Sequence, residues 1–180
     1  STLAAGKKYG NFGGVSAGWL ISEESFFKNT SLSDKVSKIR IKGSYGVVGN
    51  GNLPSDFGSN FLYGSGLYGG SSSLVFAQAG NTALSWETSK QANIGLDLGF
   101  LNDRFTLEAT YFKNNIDGLI LNAPQSPSKG IPGNTILQNV GSMYNQGIEL
   151  GLTGSILEKG KFKWNANLNY TYVKNEVTAL

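Results

Sequence analysis

From Leu84 to Phe100 the side chains alternate in polarity with a period of two. Leu84, Trp86, Ala92, Ile94, Leu96, Leu98 and Phe100 share one parity, and Ser85, Glu87, Ser89, Gln91, Asn93, Asp97 and Gly99 the other. Only a strand places successive side chains on opposite faces, so a long period of two requires a half-buried β-strand. Phe105, Leu107, Ala109 and Tyr111 continue the apolar parity after Leu101–Arg104, whose Asn-Asp pair has the chemistry of a tight turn. A second hairpin sets Ile148, Leu150, Leu152 and Ile156, and then Phe162, Trp164, Ala166, Leu168, Tyr170 and Tyr172, against polar neighbours. Upstream, Ile39, Ile41, Tyr45 and Val47 alternate with Lys38, Arg40, Lys42 and Ser44, and Val15, Ala17, Trp19 and Ile21 form a shorter run. This predicts about six antiparallel strands, near 14–21, 36–48, 84–100, 104–113, 145–157 and 161–173. Helical spacing competes only over Ser22–Lys28, for one turn at most.

The connections have their own rhythm. Short turns near 101–104 and 158–161 and a moderate link at 22–35 alternate with long loops at 49–83 and 114–138, and Pro54, Pro124, Pro127 and Pro132 all fall in the long loops. Outer-membrane barrels alternate short periplasmic turns with long extracellular loops. The strands also exceed the 5 to 6 residues usual in globular sheets and approach the roughly 9 to 11 that cross a bilayer. Trp19, Phe100, Phe105, Phe162 and Trp164 gather by the short connections, and Trp86, Tyr111, Tyr170 and Tyr172 by the other ends, as two aromatic girdles would. A mean hydropathy of −0.17 and the lack of any run of about 18 apolar residues rule out a transmembrane helix but suit a barrel wall, which averages apolar and polar parities. The expected fold is therefore all-β, an antiparallel transmembrane barrel. The alternative is a soluble β-sandwich carbohydrate-binding module, which would turn the apolar parity toward a second sheet.

A closed bacterial barrel needs at least about eight strands, and open edges cannot stand in hydrocarbon. Residues 1–180 therefore read as one partial barrel domain, an arc of a larger wall. The opening Ser1–Lys8 has no initiator Met, charged leader or lipobox Cys, as an excerpt or processed product would not.

Composition excludes much chemistry. With no Cys and no His, thiolate and imidazole nucleophiles and metal ligands are absent, and a net charge of +3 is too small to imply a nucleic-acid partner. No catalytic residue, cofactor or metal site is expected. Among the wall residues Lys38, Arg40, Lys42, Glu87, Asp97, Arg104, Glu108 and Glu149 would face the lumen, mostly to pair across strands or with a plug. A turn centred on Asn102-Asp103 sets Asp97 opposite Glu108, where like charges repel unless a cation lies nearby. That pair is the one arrangement suited to acid–base hydrolysis, and structural pairing explains it better. In the long loop, Phe57, Phe61, Tyr63, Tyr68 and Phe76 could stack on sugar rings, meet a neighbouring protein or pack on themselves. Gly64-Ser-Gly66-Leu-Tyr-Gly69 matches a dinucleotide fingerprint in form but is followed by no helix pattern.

An ordered series of short motifs resembles the C-terminal barrel of SusC/RagA-family TonB-linked outer-membrane proteins. It runs from Gly18-Trp19 with Ser22-Glu-Glu, through Ile39-Arg-Ile-Lys-Gly-Ser-Tyr-Gly46, Trp86-Glu-Thr-Ser-Lys90 and Asn93-Ile-Gly-Leu-Asp97, to Tyr111-Phe-Lys113 and Asp117-Gly-Leu-Ile120. Asn139-Val-Gly141, Asn145-Gln-Gly-Ile-Glu149 and Asn167–Tyr172 complete it. The resemblance implies a barrel of about 22 strands in the bacterial outer membrane. It also implies contact with outer-membrane lipid, a SusD-like surface lipoprotein as lid, TonB as energy donor, and an oligosaccharide, or else a peptide, as substrate. Phe12-Gly13-Gly14 stands where the family often has Phe-Pro, and the plug, N-terminal domain and TonB-contacting segment lie outside these residues.

Overall fold

The computed structural model describes residues 3–4, 6–52 and 57–180. Its main element is one antiparallel sheet of six strands: β1 (Gly13–Leu20), β2 (Val36–Asn50), β5 (Glu87–Phe100), β6 (Phe105–Asp117), β9 (Ser142–Lys159) and β10 (Phe162–Ala179), in that spatial order. Two separate hairpins rise from the long connections: β3 (Leu62–Tyr68) with β4 (Ser71–Gln78), and β7 (Ile120–Pro124) with β8 (Thr135–Asn139). A single helical turn, Ser25–Lys28, follows β1.

Pairing keeps the apolar parity together across all six strands. Trp19 faces Ile41, Ile41 faces Leu96, Leu96 faces Ala109, Ala109 faces Leu150 and Leu150 faces Tyr170. At its short-turn margin the Phe26 ring of the helical turn lies 6.3 Å from that of Trp19, and the rest of the face stays open: Ile94 is 58% and Leu168 63% exposed. The sandwich alternative requires a second sheet there, and neither small hairpin supplies one. A single layer with a continuous apolar face and two free edge strands is an arc of barrel wall.

Several boundaries differ from those read in the sequence. Strand β5 begins at Glu87, so Leu84 and Trp86 leave the ladder. Leu84 is fully buried in a small cluster with Leu3, Ile120 and Leu137, against which Trp86 packs. Trp86 also meets the Phe12 ring edge-on at 5.4 Å and donates to the Lys7 carbonyl, so it anchors the loops and belongs to no girdle. The stretches 49–83 and 114–138 are not loops throughout, since each carries a hairpin, and Pro124 closes β7 as its last residue. Pro54 lies outside the described residues. Strands β9 and β10 reach 18 residues each because backbone pairing continues where the apolar alternation stops. Beyond Tyr172 the outward parity turns polar with Lys174 and Glu176, which pair at 2.8 Å.

Two local devices hold the short-turn end. Leu101, Asn102 and Asp103 all have positive φ, at 53°, 57° and 61°. Asn and Asp tolerate that region, whereas Leu does not. Ser37 Oγ donates to Asp103 Oδ1 at 2.7 Å, and Leu101 N–H donates to the Lys35 carbonyl at 2.9 Å. In β9 the register slips by one residue, so Leu157 faces Trp164 while Ser155 faces Asn165. Ile156 is the extra residue of this bulge.

Candidate functional site

The polar parity forms the opposite face of the sheet. A cavity of about 460 Å³ opens there over β1, β2, β5 and β6, lined by Arg40, Lys42, Ser44, Asn93 and Thr110 among others. Beside it stands the best-organised charge group of the wall. Asp97 is 3% exposed, and its Oδ2 receives Arg40 Nε at 2.7 Å and ion-pairs with the same guanidinium, while Oδ1 lies 2.9 Å from Lys42 Nζ. Register explains the reach: Arg40 faces Asp97 directly, and Lys42 faces Gly95, one pleat away. With no side chain at Gly95, the Lys42 stem lies across it; a Cβ there would stand 2.5 Å from Lys42 Cε.

Asp97 and Glu108 are direct partners between β5 and β6. Among the described residues the cations that relieve their repulsion sit on the Asp97 side, and Glu108 is exposed and makes no ion pair. Glu149 and Lys38 share the wall face, and among the described residues no ion pair engages either of them. Asp97 is thus engaged on both oxygens by cations, so Asp97 and Glu108 do not form the free carboxylate pair that hydrolysis needs. Among the described residues no group of three acidic side chains could hold a metal ion.

Two of the expected wall residues do other work. Arg104 is in the short turn, where its Nε and Nη2 donate to the carbonyls of Ser155 and Ile156 at 2.7 and 2.9 Å. These are the carbonyls of the bulge, so Arg104 caps a ladder irregularity and does not line the lumen. Glu87, at the far end of β5, accepts Asn50 Nδ2 on one oxygen and the Ile120 N–H on the other, tying both long connections to the sheet.

The loop aromatics are brought together in part. Tyr63 faces Phe76 across the β3–β4 hairpin with centroids 5.6 Å apart, and Phe61 stacks on Phe76 at 6.2 Å. Phe61 and Tyr63 remain 59% and 63% exposed, so the trio presents a ring surface. Tyr68 stands apart beside the Gly69-Gly70 turn, and Phe57 lies before the hairpin, its carbonyl accepting from Gln78. The formal dinucleotide motif is simply β3 running into that turn. The hairpin itself had a legible signal in Gly69-Gly70, a pair suited to tight hairpin turns, between runs of strand-forming residues.

A family model described as TonB dependent receptor-like, beta-barrel matches residues 6–179. The chain is 30% identical over its whole length to TonB-dependent receptor P39 of Formosa agariphila and 29% identical to TonB-dependent receptor SusC of Bacteroides thetaiotaomicron, covering 17% and 18% of those proteins. It superposes on a structure of the RagAB peptide importer in the closed-closed state with a TM-score of 0.88 at 28% identity, covering all of this chain and 19% of that one. The chain therefore spans less than a fifth of the relatives it matches.

Proposed function

The chain belongs to the TonB-dependent receptor-like β-barrel family, of SusC/RagA type, and from that premise we propose that it is part of the wall of an outer-membrane nutrient importer. The observation that carries this is the uncovered apolar face. It runs unbroken over six strands, with Trp19, Phe105 and Trp164 at the short-turn end and Tyr45, Tyr111 and Tyr172 toward the other, all exposed. A face of that kind is stable against lipid and unstable against water.

The substrate is an oligosaccharide too large for diffusion pores, taken up with a SusD-like surface lipoprotein as lid and TonB as energy donor. Loops and lid would capture it, and TonB-driven rearrangement of a plug would release it inward. This stretch supplies wall and loops and no moving part, and it catalyses no reaction. The exposed rings of Phe61 and Tyr63, backed by the half-buried Phe76, suit sugar faces or the lid. A peptide substrate is the second reading, favoured by the likeness to the RagAB peptide importer.

An antibody to the hairpin Leu62–Gln78, used on native membranes, tests the proposal. The expected result is a detergent-dependent outer-membrane species several times heavier than 19.2 kDa that co-purifies with a lipoprotein. Deletion of its gene should abolish growth on an oligosaccharide but not on the monosaccharide. A soluble species near 19.2 kDa would overturn it.

A further inference from the structure

On the lumen face, in the half away from the short turns, four carboxamides fall in one register row. Gln91 on β5 faces Asn114 on β6, Asn114 faces Asn145 on β9, and Asn145 faces Asn175 on β10. No charged residue interrupts the row. Its members are only lightly engaged: Ser89 Oγ donates to Asn114 Oδ1 at 2.7 Å, which leaves the Asn114 amide protons free. Asn145 Oδ1 is buried without a hydrogen-bond partner, an acceptor left unsatisfied within the row. The next pleat on either side is largely apolar. Phe112 lies toward the short turns with its ring across Gly147, where a Cβ would stand 2.8 Å from it, and Ile116 and Val177 lie on the other side.

We infer that this row is a binding track for a linear, uncharged pyranose oligosaccharide of about four units, lying across the strands. This deepens the importer reading and rests on it. A carboxamide offers both donors and acceptors, as a pair of vicinal hydroxyls does, and the apolar flanks meet the C–H surfaces of the rings. Spacing selects the ligand class. Carboxamides on neighbouring strands repeat at about 4.8 Å, whereas an extended peptide repeats at about 3.4 Å and drifts out of step within two strands. A pyranose chain repeats close to the strand spacing, so each ring meets one carboxamide. The row's lack of charge likewise provides no partner for peptide termini or acidic sugars.

The test uses the full importer with its lipoprotein partner, purified in detergent. Calorimetry compares neutral tetrasaccharides and longer glucose and xylose oligosaccharides with a tryptic peptide mixture. Asn114→Ala, Asn145→Ala and Asn175→Ala should each weaken oligosaccharide binding about fivefold, and the triple variant about 100-fold, as lost hydrogen bonds of ordinary strength would. Asn165→Ala, on the same face of β10 near the short turn, should bind like the wild type. Heat-modifiable migration reports whether each barrel has folded. Should the triple variant not assemble, the single ones decide. Folded variants with unchanged affinity overturn the track and leave the importer reading intact. A wild-type complex that retains peptides only, or no saccharide, overturns the saccharide reading and the track together.

Discussion

Asp97 and Glu108 face each other on neighbouring strands, yet among the described residues only Asp97 is matched by cations: Arg40 bonds one oxygen at 2.7 Å and Lys42 stands 2.9 Å from the other. Removing Asp97 alone strands two positive charges on the wall. Asp97→Asn should cost about 1 to 3 kcal/mol, less than a fully buried pair because both cations are partly exposed. Glu108→Gln removes a like-charge neighbour and should change stability by less than about 0.5 kcal/mol. Urea unfolding of the refolded parent barrel distinguishes the two.

Leu96 lies in the middle of the apolar band, between Ile41 and Ala109. Leu96→Lys should cost about 2 to 4 kcal/mol at mid-bilayer and reduce the folded barrel recovered from outer membranes. Thr106→Lys, on the lumen parity of the adjacent strand, should assemble normally. Equal recovery of the two would reverse the assignment of faces.

Gly95 leaves room for the Lys42 side chain that crosses it. Gly95→Val should displace Lys42 from Asp97 and destabilise the barrel by about 1 to 2 kcal/mol. In a Lys42→Ala background most of that cost should vanish. A double-mutant cycle measures the coupling, and strict additivity would show that the lysine stem is not what Gly95 accommodates.

Leu101 holds φ at 53° with a branched side chain. Leu101→Gly should stabilise the hairpin by about 1 kcal/mol, since the relieved strain exceeds the entropy that glycine adds to the unfolded chain. Leu101→Val should destabilise it. Thermal melting of the heat-modifiable band for the three proteins gives the order.

Much of this architecture was open to reading in one dimension. Alternation along 84–100 and 104–111 implies a hairpin with one apolar face, and the turn at Asn102-Asp103 implies that Asp97 meets Glu108. Both are local consequences of period and turn length. Trp86 and Arg104 were harder, because parity continues on paper after a chain has left its ladder. Trp86 has the spacing of a girdle residue but packs on Phe12, and Arg104 has the spacing of a wall residue but bonds the β9 bulge.

The amide row shows the same division. Gln91, Asn114, Asn145 and Asn175 are separated by 23, 31 and 30 positions, and no local pattern joins them. The sequence by itself determined which residues can face lipid and which cannot, because polarity and a period of two are properties of the chain. The tertiary structure alone decided which residues of different strands become neighbours: register depends on turn geometry, bulges and pairing across the whole sheet, and a shift of one residue would exchange every partner.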